Sequence, residues 1–135
     1  MSKAIVFSVI ESPTHPKLSN LYNELGYEEL RFKSVRNAMN ALKKHKPDVI
    51  VAEFFYAYGT NYSGIHVSNL DMFLITLQKY PDYHPQFIVL VSKKEQQFVS
   101  KLEAHYKVDH VLVQPVTADQ VRPLLQQSCK RNIPG

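Results

Sequence analysis

Four polar positions in this chain close short apolar runs, where a side chain can stand at the end of a buried segment and do chemistry. Glu11 follows Ile5-Val6-Phe7-Ser8-Val9-Ile10, and Glu53 follows Val49-Ile50-Val51-Ala52. Ser92 follows Phe87-Ile88-Val89-Leu90-Val91, and Gln114-Pro115 follows Val111-Leu112-Val113. Two carboxylates brought together could hold Mg²⁺ weakly, and either a carboxylate or a hydroxyl could accept a transferred group. The preferred account of Glu11 and Glu53 is nevertheless structural, a pairing with Lys93 or one carboxyl kept protonated. Ser92 is equally well explained as the cap of a strand-to-helix turn. The six histidines, His15, His45, His66, His84, His105 and His110, show neither HxxxH nor HxH spacing, and Cys129 is alone. No metal centre, cofactor or internal disulfide is expected from them.

A second unusual feature is the stretch from Phe54 to His66, which carries Phe54, Phe55, Tyr56, Tyr58 and Tyr62 with Gly59 and Gly64 to let it turn. Some of these rings must cover the strand ends, and the rest would form an exposed aromatic surface of the kind found at protein interfaces. At least two of the five are expected to be exposed. A flat small molecule stacked on this loop is a further reading. The turn after the first run, Glu11-Ser12-Pro13-Thr14-His15-Pro16, has no glycine and two prolines, so it offers few N–H groups to cradle a phosphate.

The elements that position these residues alternate. The runs at 5–10, 49–52 and 87–91 are almost continuously apolar, as strands buried on both faces must be. Leu30-Arg31-Phe32-Lys33 alternates and suits an edge strand. Helical spacing separates the runs. Leu18, Leu21, Tyr22 and Leu25 follow a start near Pro16 and stop at Gly26; Val35, Ala38, Met39 and Leu42 follow a Ser34 cap; Leu70, Phe73, Leu74 and Leu77 stop near Pro81. Phe98, Val99, Leu102 and Tyr106 mark the fourth helix. Thr117 with Gln120 opens the last helix, in which Pro123 is expected to bend the chain or delay the start. This βα alternation implies an α/β fold: a five-stranded parallel sheet in a flavodoxin-like three-layer sandwich, strand order 2-1-3-4-5. Ligands bind such sheets beyond the carboxyl ends of the strands, where all four polar positions fall.

The 135 residues are 44% hydrophobic and 21% charged, the profile of one globular domain, read as 1–130 with a loose tail at 131–135. Lys plus Arg is 16 against 12 Asp plus Glu, a net charge of +4 that is too small and too scattered for nucleic acid. The tightest cluster, Lys43, Lys44, His45 and Lys46, falls where a helix ends and suits its dipole. No apolar stretch reaches the ~18 residues of a membrane span or forms a signal sequence, and the chain reads as cytoplasmic.

The chain resembles a bacterial response-regulator receiver (CheY-like) domain from about Lys3 to Ser128. The resemblance rests on Pro47-Asp48-Val49-Ile50-Val51-Ala52-Glu53, Val89-Leu90-Val91-Ser92 and Val111-Leu112-Val113-Gln114-Pro115, in that order and spacing. In the family these segments end in the phosphoacceptor aspartate, in a Thr or Ser that contacts the phosphoryl group, and in a Lys-Pro pair. Here the phosphoacceptor position is Glu53, one methylene longer, and the lysine position is Gln114. The magnesium-holding acidic pair, aligned on Pro13, falls on Ile10 and Glu11, and the aromatic switch position on Val111. Nucleophile, metal site and cation are thus all altered, and phosphoryl transfer depends on their joint placement.

The resemblance therefore implies a degenerate pseudo-receiver of a two-component-type system, not an enzyme, that binds a protein partner independently of phosphorylation. The family's usual contact face, including its homodimer contacts, maps onto the fourth helix, fifth strand and fifth helix, about Glu95 to Gln127. The alternatives are an atypical receiver phosphorylated on Glu53 or Ser92 with Mg²⁺, and a small-molecule binder. Glu53 as an imitation of phosphorylated aspartate is a minor reading, because Gln114 supplies no cation to sense it.

Overall fold

The computed structural model describes residues 4–12, 17–56, 68–80 and 83–131, with side chains through 126. The first apolar run forms β1 (Ala4–Val9), whose alternate residues serve two cores. Phe7 and Val9 face one side of the sheet, and Val6 faces the other. The same division recurs in β3 (Val49–Glu53) and β4 (Gln86–Val91), every residue of which is buried. Each such Val, Ile, Leu or Phe contributes roughly 1.5–3 kcal/mol on leaving water, which is why these three strands occupy the middle.

The edge strands are β2 (Tyr27–Phe32) and β5 (His110–Val113), and the parallel order is β2-β1-β3-β4-β5, as the apolar patterning implied. Phe7 lies between Leu30 and Ile50, and Ile50 pairs in turn with Phe87. On one face lie α2 (Val35–Ala41), α3 (Asp71–Gln78) and α4 (Gln96–Glu103). On the other lie α1 (Ser19–Glu24) and α5 (Ala118–Arg131).

Several local signals act as expected. Gly26, at φ 83°, ends α1 with its N–H on Asn23 O. The Ser34 hydroxyl caps α2 by accepting from Asn37 N at 3.1 Å, and Thr117 N donates to Gln120 Oε1 at 2.9 Å at the head of α5. Beyond α2, Lys46 Nζ donates to Leu42 O and sits 4.2 Å from the Tyr80 ring centre, the helix-end role expected of that basic cluster.

Two boundaries differ from the expectation. The first helix begins at Ser19 rather than near Pro16, which itself lies outside the described residues. Strand β2 begins at Tyr27, because Tyr27 is buried and its hydroxyl donates to Leu125 O at 2.7 Å, tying the strand to α5. Helix α5 starts on time and continues through Pro123 to Arg131, so the proline does not delay it.

Two aspartates set the strand starts from below. Asp48 Oδ2 accepts from Ile5 N at 2.8 Å, and Asp109 Oδ2 accepts from Phe87 N at 2.8 Å. Each sits just before its own strand and bonds the neighbouring one, supplying an acceptor where the ladder begins.

Candidate functional site

Strands β1 and β3 are neighbours and parallel, so Glu11 and Glu53 are brought to the same end of the sheet. Glu53 closes β3 and is only 2% exposed. Its Oε1 accepts from Glu11 N at 2.9 Å and Ser12 N at 3.1 Å, and its Oε2 accepts from the Ser12 hydroxyl. The extra methylene of glutamate gives the carboxylate the reach to bend into the turn after β1. Successive N–H groups form an anion-binding concavity there, and Glu53 fills it with its own charge.

Glu11 points elsewhere. Its Oε1 accepts from Val35 N, the first N–H of α2, at 3.1 Å, and its Oε2 accepts from Asn69 Nδ2 at 3.1 Å. Asn69 is the organising residue that the sequence reading missed. Its Nδ2 also donates to Glu53 O at 2.8 Å, and its Oδ1 accepts from Phe55 N at 2.7 Å. One amide thus joins the ends of β1 and β3 to the segment entering α3. Among the described residues the carboxylates are held by N–H, amide and hydroxyl groups, and Lys93 is exposed in the turn after β4.

Burial holds the Glu11 carboxyl above its ordinary value of 4.5; the Val35 N–H and the Asn69 amide pull it down, and the Glu53 charge adds a lesser upward push. A carboxyl raised on folding binds more protons in the folded chain than in the unfolded one. Its contribution to stability is therefore complete below 4.5 and is lost as the pH rises through the raised value. Denaturant midpoints of wild type and Glu11→Ala should diverge as the pH is lowered from neutral through that window, the wild type gaining. Parallel curves would contradict this.

Ser92 and Gln114 stand at the ends of β4 and β5. The Ser92 hydroxyl accepts from Glu95 N at 3.3 Å, which makes it a cap of the turn before α4. Gln114 is half-buried, donates its N–H to Val91 O at 2.8 Å and precedes Pro115 through a cis peptide. Val111 is half-buried in β5, against the core. The family's magnesium does not fit the residues present. Both carboxylates face N–H donors, and no group of three or more His, Cys, Asp or Glu suits a metal among the described residues.

The aromatic loop is represented by three of its five rings; Tyr58 and Tyr62 lie outside the described residues. Phe54 is buried at 2% exposure, and Phe55 is exposed at 37%. Tyr56 is half-buried and stacks on Phe98 of α4, with ring centres 3.9 Å apart and planes 8° from parallel. Lys101 Nζ donates to the Tyr56 hydroxyl at 3.3 Å, and Tyr56 N donates to Glu95 Oε2 at 3.4 Å. Phe54 and Tyr56 are thus engaged in packing, which takes two rings from the stacking surface that a flat ligand would need.

No family model and no curated protein matches the sequence. Solved structures match the fold. The receiver domain of AraT, a response regulator from Geobacillus stearothermophilus, aligns with a TM-score of 0.70 at 16% identity, over 97% of this chain and 95% of that one. A response regulator receiver domain protein from Clostridium thermocellum gives 0.68 at 16%, over 95% of each. The receiver domain (CheY-like) from Methylobacillus flagellatus gives 0.67 at 17%, over 94% of this chain and 99% of that one. The chain therefore has the flavodoxin-like α/β fold in the form seen in response-regulator receiver domains. No helix among the described residues is long and apolar enough to cross a membrane.

Proposed function

We propose that this chain is a signalling module of the receiver type that holds a protein partner without a phosphorylation cycle. The observation that carries the reading is the state of Glu53. The carboxylate at the phosphoacceptor position is buried and already accepts from Glu11 N, Ser12 N and the Ser12 hydroxyl. A nucleophile must present a free oxygen in line with the incoming phosphorus, beside a metal and a cation. Here the oxygens face the turn, Ile10 stands where the resemblance places the second acid, and Gln114 brings no charge. The partner face is α4–β5–α5, by resemblance to the family. The contact of Tyr56 with Phe98 and Lys101 supports a fixed α4 on that face rather than one that shifts with phosphorylation.

Incubation with acetyl phosphate and Mg²⁺, followed by intact-mass measurement, tests this directly. The mass is expected to stay unchanged, and a partner bound to α4–β5–α5 is expected to be retained equally with and without the treatment. A magnesium-dependent gain of one phosphoryl group on Glu53 or Ser92 would overturn the reading and restore that of an atypical but competent receiver.

A further inference from the structure

Among the described residues strand β2 is an edge of the sheet and pairs with β1 alone. Phe32 O accepts from Ile10 N at 2.7 Å on the β1 side. By the alternation of a strand, the backbone groups of Phe32, Leu30 and Glu28 face β1, and those of Glu29 and Arg31 point away from the sheet. Open edges are usually blunted by charge. What matters here is how the charges are arranged. Glu29 and Arg31 stand on the α1 side of the strand, with Arg31 Nε 3.4 Å from Glu29 Oε1, and the Ser19 hydroxyl bridges them at 2.6 and 3.2 Å.

A second copy laid antiparallel on this edge, with the two-fold axis at Leu30, puts Glu29 of each copy opposite Arg31 of the other. These are the positions whose N–H and C=O point outward, so backbone bonds and opposite-charge pairs form together. The neighbouring registers that preserve the ladder set Glu29 against Glu29 or Arg31 against Arg31, so charge selects one register. On the other face of the strand, an open groove of about 510 Å³ runs along Leu30 and Phe32 to Ala41 and Lys44. Leu30 and Phe32 are each half-buried there. In the two-fold register Leu30 meets Leu30, the Phe32 rings follow on the diagonals, and each copy's side chains enter the other's groove.

We propose that the chain self-associates through β2 into a two-fold dimer with one continuous sheet. The α4–β5–α5 face lies at the far side and stays clear, so this inference does not depend on the function proposed above.

Size-exclusion chromatography with light scattering over a concentration series tests it. Wild type is expected to move from monomer to dimer mass. Arg31→Pro removes an outward N–H that the monomer does not use in its sheet, and should weaken association by about ten-fold or more. Arg31→Glu and Glu29→Arg should each weaken it, and the double exchange should restore it. Thermal melts check that each variant is folded; Arg31→Glu, on a side chain 65% exposed, serves if the proline variant does not fold. A wild type that stays monomeric at every concentration would overturn the proposal. So would a dimer unmoved by the Arg31 substitutions, which would belong to another face such as α4–β5–α5, or a double exchange that fails to restore association.

Discussion

Replacing Glu53 by alanine is expected to destabilise the fold by about 3 kcal/mol, measured as a shift in urea midpoint at constant slope. Removing the carboxylate leaves the Glu11 N–H, the Ser12 N–H and the Ser12 hydroxyl without the acceptor they share. Hydrogen bonds to a charged group are worth roughly 1.5–3 kcal/mol each, and water entering at the strand ends recovers part of the sum. Glu53→Gln is the control. Its oxygen can keep both N–H groups, and the Ser12 hydroxyl can turn to accept from the new amide, so a loss of only about 1 kcal/mol is expected. Glu53→Asp should resemble alanine more than glutamine, because the shorter side chain cannot reach the turn. If alanine cost no more than glutamine, the carboxylate would not be what holds the β1–α1 turn, and the main support for a phosphorylation-independent module would be gone.

The strands that carry this site were legible because a strand covered on both faces is apolar almost throughout, and the runs at 49–52 and 87–91 are unbroken, with the polar Glu53 and Gln86 only at strand ends. Once the order 2-1-3-4-5 follows, Glu11 and Glu53 must meet at one end of the sheet. Where their side chains turn does not follow from residue type. Ser12 and Glu53 are 41 positions apart, and Glu11 and Asn69 are 58 apart. Which N–H faces which oxygen depends on the path of the turns between them. Of the two accounts expected, a pairing with Lys93 or a carboxyl kept protonated, the described residues show N–H and amide donors on both carboxylates, and the raised Glu11 carboxyl leans toward the second. Asp48 and Asp109 were hidden differently. An aspartate before an apolar run looks like a turn residue, and only strand register shows its carboxylate bonding the neighbouring strand. Tyr27 was missed because an edge strand lacks the apolar continuity of the centre, and its burial comes from α5 folding back over it.

Phe73→Ala is expected to cost about 4 kcal/mol, the range for truncating a fully buried aromatic ring in a core that relaxes only partly. Phe73 is 0% exposed on α3 and meets Phe87 of β4 edge-on, with ring centres 5.6 Å apart and planes at 87°. Such a pair adds to the area term because the positive ring edge meets the negative ring face. The consequence should extend beyond the core. Asn69 lies at the entry to α3, and its amide reaches Glu11 Oε2, Glu53 O and Phe55 N only while that helix is seated on the sheet. At a pH where the variant is still folded, hydrogen exchange at Phe55 N should quicken, although Phe73 is in the core and Phe55 is at the mouth of the site. Exchange at Ile5 N, held by Asp48 at the opposite end of the strands, should change only with global stability. Equal acceleration at both would mean that α3 and the site open only with the whole domain. Selective acceleration at Phe55 would mean that the seat of α3 sets the order of the site through Asn69.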